Sequence, residues 1–183
     1  MKKAVCFLMA FLMTMCCAFA YAEESDLPEG RVNILSRMTM EVPNGHSANV
    51  EKDYAKVFPY SGDQDSDSLI KVYFREDVHD PLSIALIPEQ QLLEAVSELS
   101  KSSLSSMQKK SEIRDTRTVL GIEHCQYYEV DFTMNNMFMT DDYKLISILV
   151  PKDGGSYIFT IRSKSEEKVA EMFELLETIE WND

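Results

Sequence analysis

Four extended runs follow one another from Arg114 to Arg162 with almost nothing between them: Arg114 to Leu120, Ile122 to Thr133, Met137 to Val150 and Ser156 to Arg162. They are separated only by Gly121, by Met134-Asn135-Asn136 and by the five residues from Pro151 to Gly155, which include Asp153-Gly154-Gly155. Gaps this short leave no room for crossover helices, so the runs must return on themselves as antiparallel neighbours in a meander. Asp-Gly followed by Gly between two apolar strands is a strong hairpin signal in its own right.

The rest of the chain is arranged around that block. Met38 to Val42 alternates in period two and ends at the turn signal Pro43-Asn44-Gly45, Ala55 to Phe58 is a short extended piece, and Ser68 to Arg75 is an apolar strand after a polar loop over Ser61 to Asp67. Leu82 to Ile87, bracketed by Pro81 and Pro88, reads as a further strand. From Glu89 the period becomes helical, with Leu92, Leu93, Val96, Leu99, Leu104 and Met107 predicting a helix of about five turns. A closing helix is predicted from Ser165 to Ile179, with Val169, Met172, Phe173, Leu176 and Ile179 on one face and Ser163 and Glu166 at capping-box spacing. Strands and two helices in this order predict an α+β fold, an antiparallel β-sheet flanked by helices, with no internal repeat.

The first 22 residues read differently. Lys2 and Lys3 precede the uncharged apolar run Ala4 to Phe19, and Ala20-Tyr21-Ala22 is a small-x-small site followed at once by Glu23-Glu24. This is the pattern of a secretory signal peptide, followed by a flexible acidic lead over 23–30 and a single domain over 31–183. The run is short for a span, so the alternative of an uncleaved membrane anchor is disfavoured, and no later stretch could make a second span. Export to a periplasmic or extracellular space is expected.

Processing changes the chemistry that composition permits. Removing 22 residues from 183 leaves 161, and loss of Lys2 and Lys3 moves the formal charge from -13 to -15. Cys6, Cys16 and Cys17 leave with the signal, so Cys125 remains alone and no intramolecular disulfide can form. A domain of this length can bury enough apolar surface to stand without one. The acidity argues against nucleic acid and anionic lipid as partners, both of which require basic patches.

The opening strand running into Val42-Pro43-Asn44-Gly45-His46, the passage from Leu82 through Met107, Gly121 before a strand with an aromatic pair, and a hairpin feeding a C-terminal helix together resemble the Mog1/PsbP-like superfamily. The order of elements covers nearly the whole mature chain; the position after Gly45, usually aromatic in that group, is His46 here. The resemblance implies an α/β/α sandwich around an antiparallel sheet. It also implies a mostly non-catalytic role, since the group includes a nuclear-transport GTPase-binding protein, extrinsic photosystem II subunits, exported bacterial proteins and chaperones for secreted toxins. No catalytic set comes with it and no cofactor is expected.

The residues themselves offer few nucleophiles or ligands. Gly-x-Ser-x-Gly, the phosphate-binding Gly-x-x-x-x-Gly-Lys, His-Glu-x-x-His and Cys-x-x-Cys are all absent. His124 and Cys125 are neighbours on one strand, so they point to opposite faces and cannot pair; a cysteine-dependent enzyme would need His46 or His79 brought in by folding. Asp63, Asp65 and Asp67 imitate half a calcium loop, but Ser68 and Phe74 stand where such a loop needs its glycine and its bidentate glutamate. Met134, Met137 and Met139 have Met-x-x-Met and Met-x-Met spacings, which suit a soft metal such as Cu(I) as well as ordinary sheet packing. Tyr127-Tyr128 places aromatics on both faces of a central strand and Trp181 is expected at the core edge, while His79-Asp80-Pro81 reads as a turn. The favoured reading is a non-enzymatic exported binding or accessory module that meets a protein or small ligand. The alternatives are Cu(I) or divalent-cation binding and a cysteine-dependent enzyme.

Overall fold

The computed structural model describes residues 30–59, 68–78, 80–100, 105–136 and 139–182. The predicted signal and most of the lead, and the Asp63, Asp65 and Asp67 loop, lie outside the described residues. In chain order the elements are β1 (Arg31–Ile34), β2 (Met38–Glu41), β3 (His46–Val50), β4 (Tyr54–Pro59), β5 (Leu69–Arg75), α1 (Pro81–Leu99) and β6 (Ser106–Val119). They continue with β7 (Ile122–Asn135), β8 (Thr140–Lys152), β9 (Gly155–Ser163), α2 (Glu166–Glu177) and β10 (Glu180–Trp181).

A seven-stranded sheet in the order β3-β4-β5-β9-β8-β7-β6 carries the fold, and β1, β2 and β10 form a smaller three-stranded sheet. Every paired strand in both sheets is antiparallel. Alternation sorts the side chains of the large sheet into two layers. Ile70, Val72, Cys125, Tyr127, Ile146, Ile148, Tyr157, Phe159 and Ile161 pack on one face against Met38 and Met40 of β2 and Met172 and Leu176 of α2. On the other face, Tyr128, Val130, Phe132 and Leu145 meet Leu92, Ala95 and Leu99 of α1, while Leu149 and Ile158 meet Ile87. The sheet therefore has a helix on each side, and Tyr127 and Tyr128 serve the two layers as expected of a central strand.

Turn chemistry fixes the meander. Asp153 and Gly154 both have positive φ, 57° and 77°, which is the twist a two-residue hairpin needs. Gly155 is required for a different reason: a Cβ there would lie 2.4 Å from the Arg75 carbonyl of β5. His124, with φ 62°, sits at a bulge where the β6 and β7 registers shift between Arg117 and Val119.

Three expectations are corrected. Leu82 to Ile87 is the start of α1 and not a strand, because the Asp80 carboxylate accepts the Leu82 and Ser83 amides at 2.9 and 3.0 Å and Pro81 occupies the first turn. Pro88, read as a stop, is buried inside the helix. The same helix ends at Leu99 and does not reach Met107; Met107 belongs to β6, opposite Met134, while Leu104 lies outside the described residues. The cap of α2 is Ser165, which accepts the Lys168 amide at 3.4 Å, and not Ser163, whose hydroxyl is buried against that of Ser68 at 2.6 Å. Strands β1 and β3 and the first half of β6 carry no clear period; β6 is an edge strand exposed on both faces for most of its length, so no alternation is selected.

Helix α1 is tied to the sheet by charge as well as by apolar contact. Glu98 receives the nearly buried Arg162 guanidinium at 2.8 Å and the Lys56 ammonium at 3.4 Å. Partial burial opposes ionisation of Glu98, but the Arg162 hydrogen bond and the surrounding cations outweigh it and hold its pKa below the ordinary value of 4.5. A carboxylate with a depressed folded pKa contributes stability above its unfolded pKa and loses it as the pH falls through the folded value. Glu98→Gln is therefore expected to lower the urea midpoint at pH 7, with the gap to wild type closing as the pH falls below about 4. A gap that stays constant from pH 7 to pH 3 would exclude this role.

Candidate functional site

The first half of α1 and the sheet beneath it do not close on each other. Between them lies a cavity of about 380 Å³, within the range of small-molecule sites. The helix contributes Pro81, Ile84, Ala85 and Pro88, with Ile84 and Ala85 each three or four residues from both prolines, so that all four share one face. Below them, Leu149 of β8 and Tyr128 of β7 form the floor, with Gln126 and Arg114 at the β6 side. The register explains the convergence: Gln126 is opposite Leu149 and Tyr128 is opposite Arg114, so all four side chains share the sheet face that α1 covers.

Beside the groove, α1 carries Leu82, Leu86 and Leu93 at spacings of four and seven, exposed by 71%, 50% and 64%. Three large apolar side chains on one stripe of one helix are more than scattered exposure, and they stand next to Ala85 at the groove edge. The site is therefore a mainly apolar groove continued outward by a leucine stripe that Glu89 interrupts between Leu86 and Leu93.

Its electrostatics are balanced. Lys109 meets Glu112 at 2.8 Å and Glu89 at 3.1 Å, and Arg114 meets Glu89 at 3.2 Å as well as Glu112. Hydrogen bonds from Lys109 and Arg114 hold the Glu112 carboxyl below its usual range, and the two cations and two carboxylates cancel in pairs. Both cations also lie over the Tyr128 ring, Arg114 at 5.1 Å and Lys109 at 5.9 Å from its centroid. Tyr128 is only 2% exposed; Lys109 hydrogen-bonds to its phenol oxygen, and the hydroxyl proton itself has no acceptor among the described residues. Burial pushes the phenol pKa above its ordinary value of 10, with Lys109 acting in the opposite direction. The group is thus a protonated donor without an acceptor.

The residues singled out in the sequence are distributed elsewhere. Met134 is buried against α1, Met139 is exposed, and both border a small cleft of about 30 Å³ near Leu99; Met137 lies outside the described residues. Met107 joins them as the cross-strand neighbour of Met134, a ligand type that its helical assignment concealed. Cys125 is fully buried and its thiol donates to the Ile122 carbonyl at 3.1 Å, while burial raises its pKa. His124 is exposed at the bulge, its side chain open to solvent. His46 is buried in the other layer with Nε2 3.2 Å from Glu171 of α2, and His79 lies outside the described residues. Among the described residues, no group of three His, Cys, Asp or Glu side chains is placed to hold a metal ion. Trp181 stands at the core edge, edge-on to Tyr157 with centroids 5.0 Å apart. The groove itself was missed because reading 82–87 as a strand hides the spacing of Leu82, Leu86 and Leu93, which a helical reading would have shown as a second apolar stripe.

The structure is similar to two solved structures. One is LpqN, involved in cell envelope biogenesis of Mycobacterium tuberculosis, at 11% identity over 80% of this chain and 83% of that chain, with a TM-score of 0.40. The other is the Ran-binding protein Mog1p of Saccharomyces cerevisiae, at 14% identity over 76% of this chain and 78% of that chain, also with a TM-score of 0.40. Both have the Mog1/PsbP-like fold that the sequence resembles. Neither likeness assigns a partner or an activity to this chain. No protein-family model and no curated protein matches it.

An unsatisfied buried donor costs about 1–3 kcal/mol, and an isosteric apolar group removes that cost. Tyr128→Phe is therefore expected to raise the stability of the ligand-free protein by about 1 kcal/mol, read as an increase in urea midpoint with an unchanged slope. A fall of the same size would mean that the hydroxyl is satisfied.

Proposed function

We propose that the protein is a non-catalytic exported binding or accessory module with a Mog1/PsbP-like α/β/α sandwich, and that the groove under α1 is its working surface. The observation that carries the reading is the groove itself: about 380 Å³ of apolar space that continues onto an exposed leucine stripe. Surfaces of this kind bind by burial of apolar area, at roughly 25 cal/mol per Å², and leave specificity to a few polar groups at the wall. The buried, raised-pKa thiol of Cys125 and its carbonyl contact favour a structural role for the cysteine over a nucleophilic one. Export after cleavage at Ala22 supplies the compartment in this reading, and no helix among the described residues is long and apolar enough to cross a membrane. Ala85→Trp lays an indole across the groove mouth and Leu86→Lys charges the stripe. Both are expected to abolish whatever the wild-type mature chain retains on purification from its own cells, with circular dichroism and urea midpoint unchanged. Retention of the same bound material by both variants would overturn the reading.

A second reading has its own observation. Met107 and Met134 face each other across β6 and β7, and Met139 borders the same cleft as Met134. Together with Met137 these are soft thioether donors suited to Cu(I). On this reading the mature chain competes with bicinchoninate for Cu(I) under reducing conditions, and Met134→Leu with Met139→Leu removes the competition. Failure of the wild type to compete would exclude it.

A further inference from the structure

Resting on the reading that the groove under α1 is a binding surface, we propose that its ligand is a small neutral molecule with an apolar body and a carbonyl oxygen that accepts a hydrogen bond from Tyr128 Oη. Three observations lead to this class. The walls supplied by Pro81, Ile84, Ala85 and Leu149 carry no polar side chain, so most of the ligand surface is hydrocarbon or aromatic. The wall at Tyr128 holds a buried phenol whose oxygen is met by Lys109 but whose proton lacks an acceptor among the described residues, so the ligand has to bring one. The phenol stays protonated, because burial raises its pKa, and it donates across the whole physiological range.

Charge decides against a carboxylate or sulfonate. The two cations near the phenol, Lys109 and Arg114, are already neutralised by Glu89 and Glu112 in a closed set of ion pairs. An anion would have to enter beside two carboxylates, Glu89 and Glu112, and the desolvation of its charge would then be uncompensated. A carbonyl oxygen asks for a single donor and brings no net charge. Access to the hydroxyl is controlled by the long side chains that lie over the ring. Arg114, at half exposure, swings outward without disturbing the backbone pairing of β6 with β7.

The test uses an environment-sensitive fluorophore, 6-propionyl-2-dimethylaminonaphthalene, a neutral bicyclic ketone whose emission shifts to the red when its carbonyl accepts a hydrogen bond. The comparison probe is the anionic 1-anilinonaphthalene-8-sulfonate, and both are titrated into folded wild-type mature chain, Tyr128→Phe and Ala85→Trp. The expected result is saturable one-to-one binding of the ketone to wild type, about fivefold to tenfold weaker binding to Tyr128→Phe with emission shifted to the blue, and no binding to Ala85→Trp. Tyr128→Phe keeps the ring and its packing, so its fold is checked by near-ultraviolet circular dichroism before titration. Equal affinity for wild type and Tyr128→Phe, with loss in Ala85→Trp, overturns the carbonyl assignment while leaving the groove as the binding surface. Tighter binding of the sulfonate than of the ketone overturns the neutral class. Ketone binding that Ala85→Trp does not change, or no ketone binding to wild type, overturns this proposal, and the first of these also removes the groove.

Discussion

Strand β9 is buried along its whole length, on both faces, in the middle of the seven-stranded sheet. Such a strand tolerates polar side chains only if each finds a partner on another element, and four of them do. Ser156 donates to the Val78 carbonyl at 2.8 Å, Thr160 to Gln91 at 2.7 Å, Arg162 to Glu98 at 2.8 Å, and Ser163 shares a 2.6 Å hydrogen bond with Ser68. Two of these partners are on α1. The alignment of that helix over the sheet follows from satisfying β9, and apolar packing alone would leave it free to slide.

The position of the groove follows from this attachment. Gln91, Glu98, Leu92, Ala95 and Leu99 hold the C-terminal half of α1 close to β5, β8 and β9. The N-terminal half is anchored by Ile87 at its base and capped by Asp80, and along its β6 side it stands away from Tyr128 and Leu149. Pro88 belongs to this geometry as well. It cannot donate an amide within the helix, and its ring lines the cavity.

The opposite face of β6 to β8 shows the contrast. There, Lys144 lies between Glu129 at 2.6 Å and Asp131 at 2.9 Å, and Lys110 meets Asp142 at 2.7 Å. That open face is sealed with matched charges, whereas the groove on the α1 side is walled mainly by apolar side chains, with the Tyr128 and Ser147 hydroxyls unmatched beneath the helix. In a chain with a formal charge of -13, pairing the cations so completely leaves little positive surface to recruit an anionic partner.

Period and turn chemistry determined the meander. The alternation from Ile122 onward and the Asp153-Gly154-Gly155 turn were readable because each depends on neighbours within a few residues, and the two apolar faces of β7, β8 and β9 followed from parity alone. The same local logic failed at residues 82–87, where two prolines bracket an aliphatic run that suits either a strand or a helix; the Asp80 cap and the contact with β8 decide between them. Edge strand β6 was half hidden because exposure on both faces removes the pattern that reveals a strand. Met107 was placed on a helix and belongs opposite Met134, a pairing 27 residues apart in sequence that only the β6–β7 hairpin creates. Sequence by itself thus determined the strand-rich α+β class and the charge and apolar pattern of the first 22 residues. Only the tertiary structure decided where a site exists, because the groove joins α1 to Arg114, Tyr128 and Leu149, and separations of that order are bridged by strand pairing and helix packing and leave no local periodicity to read.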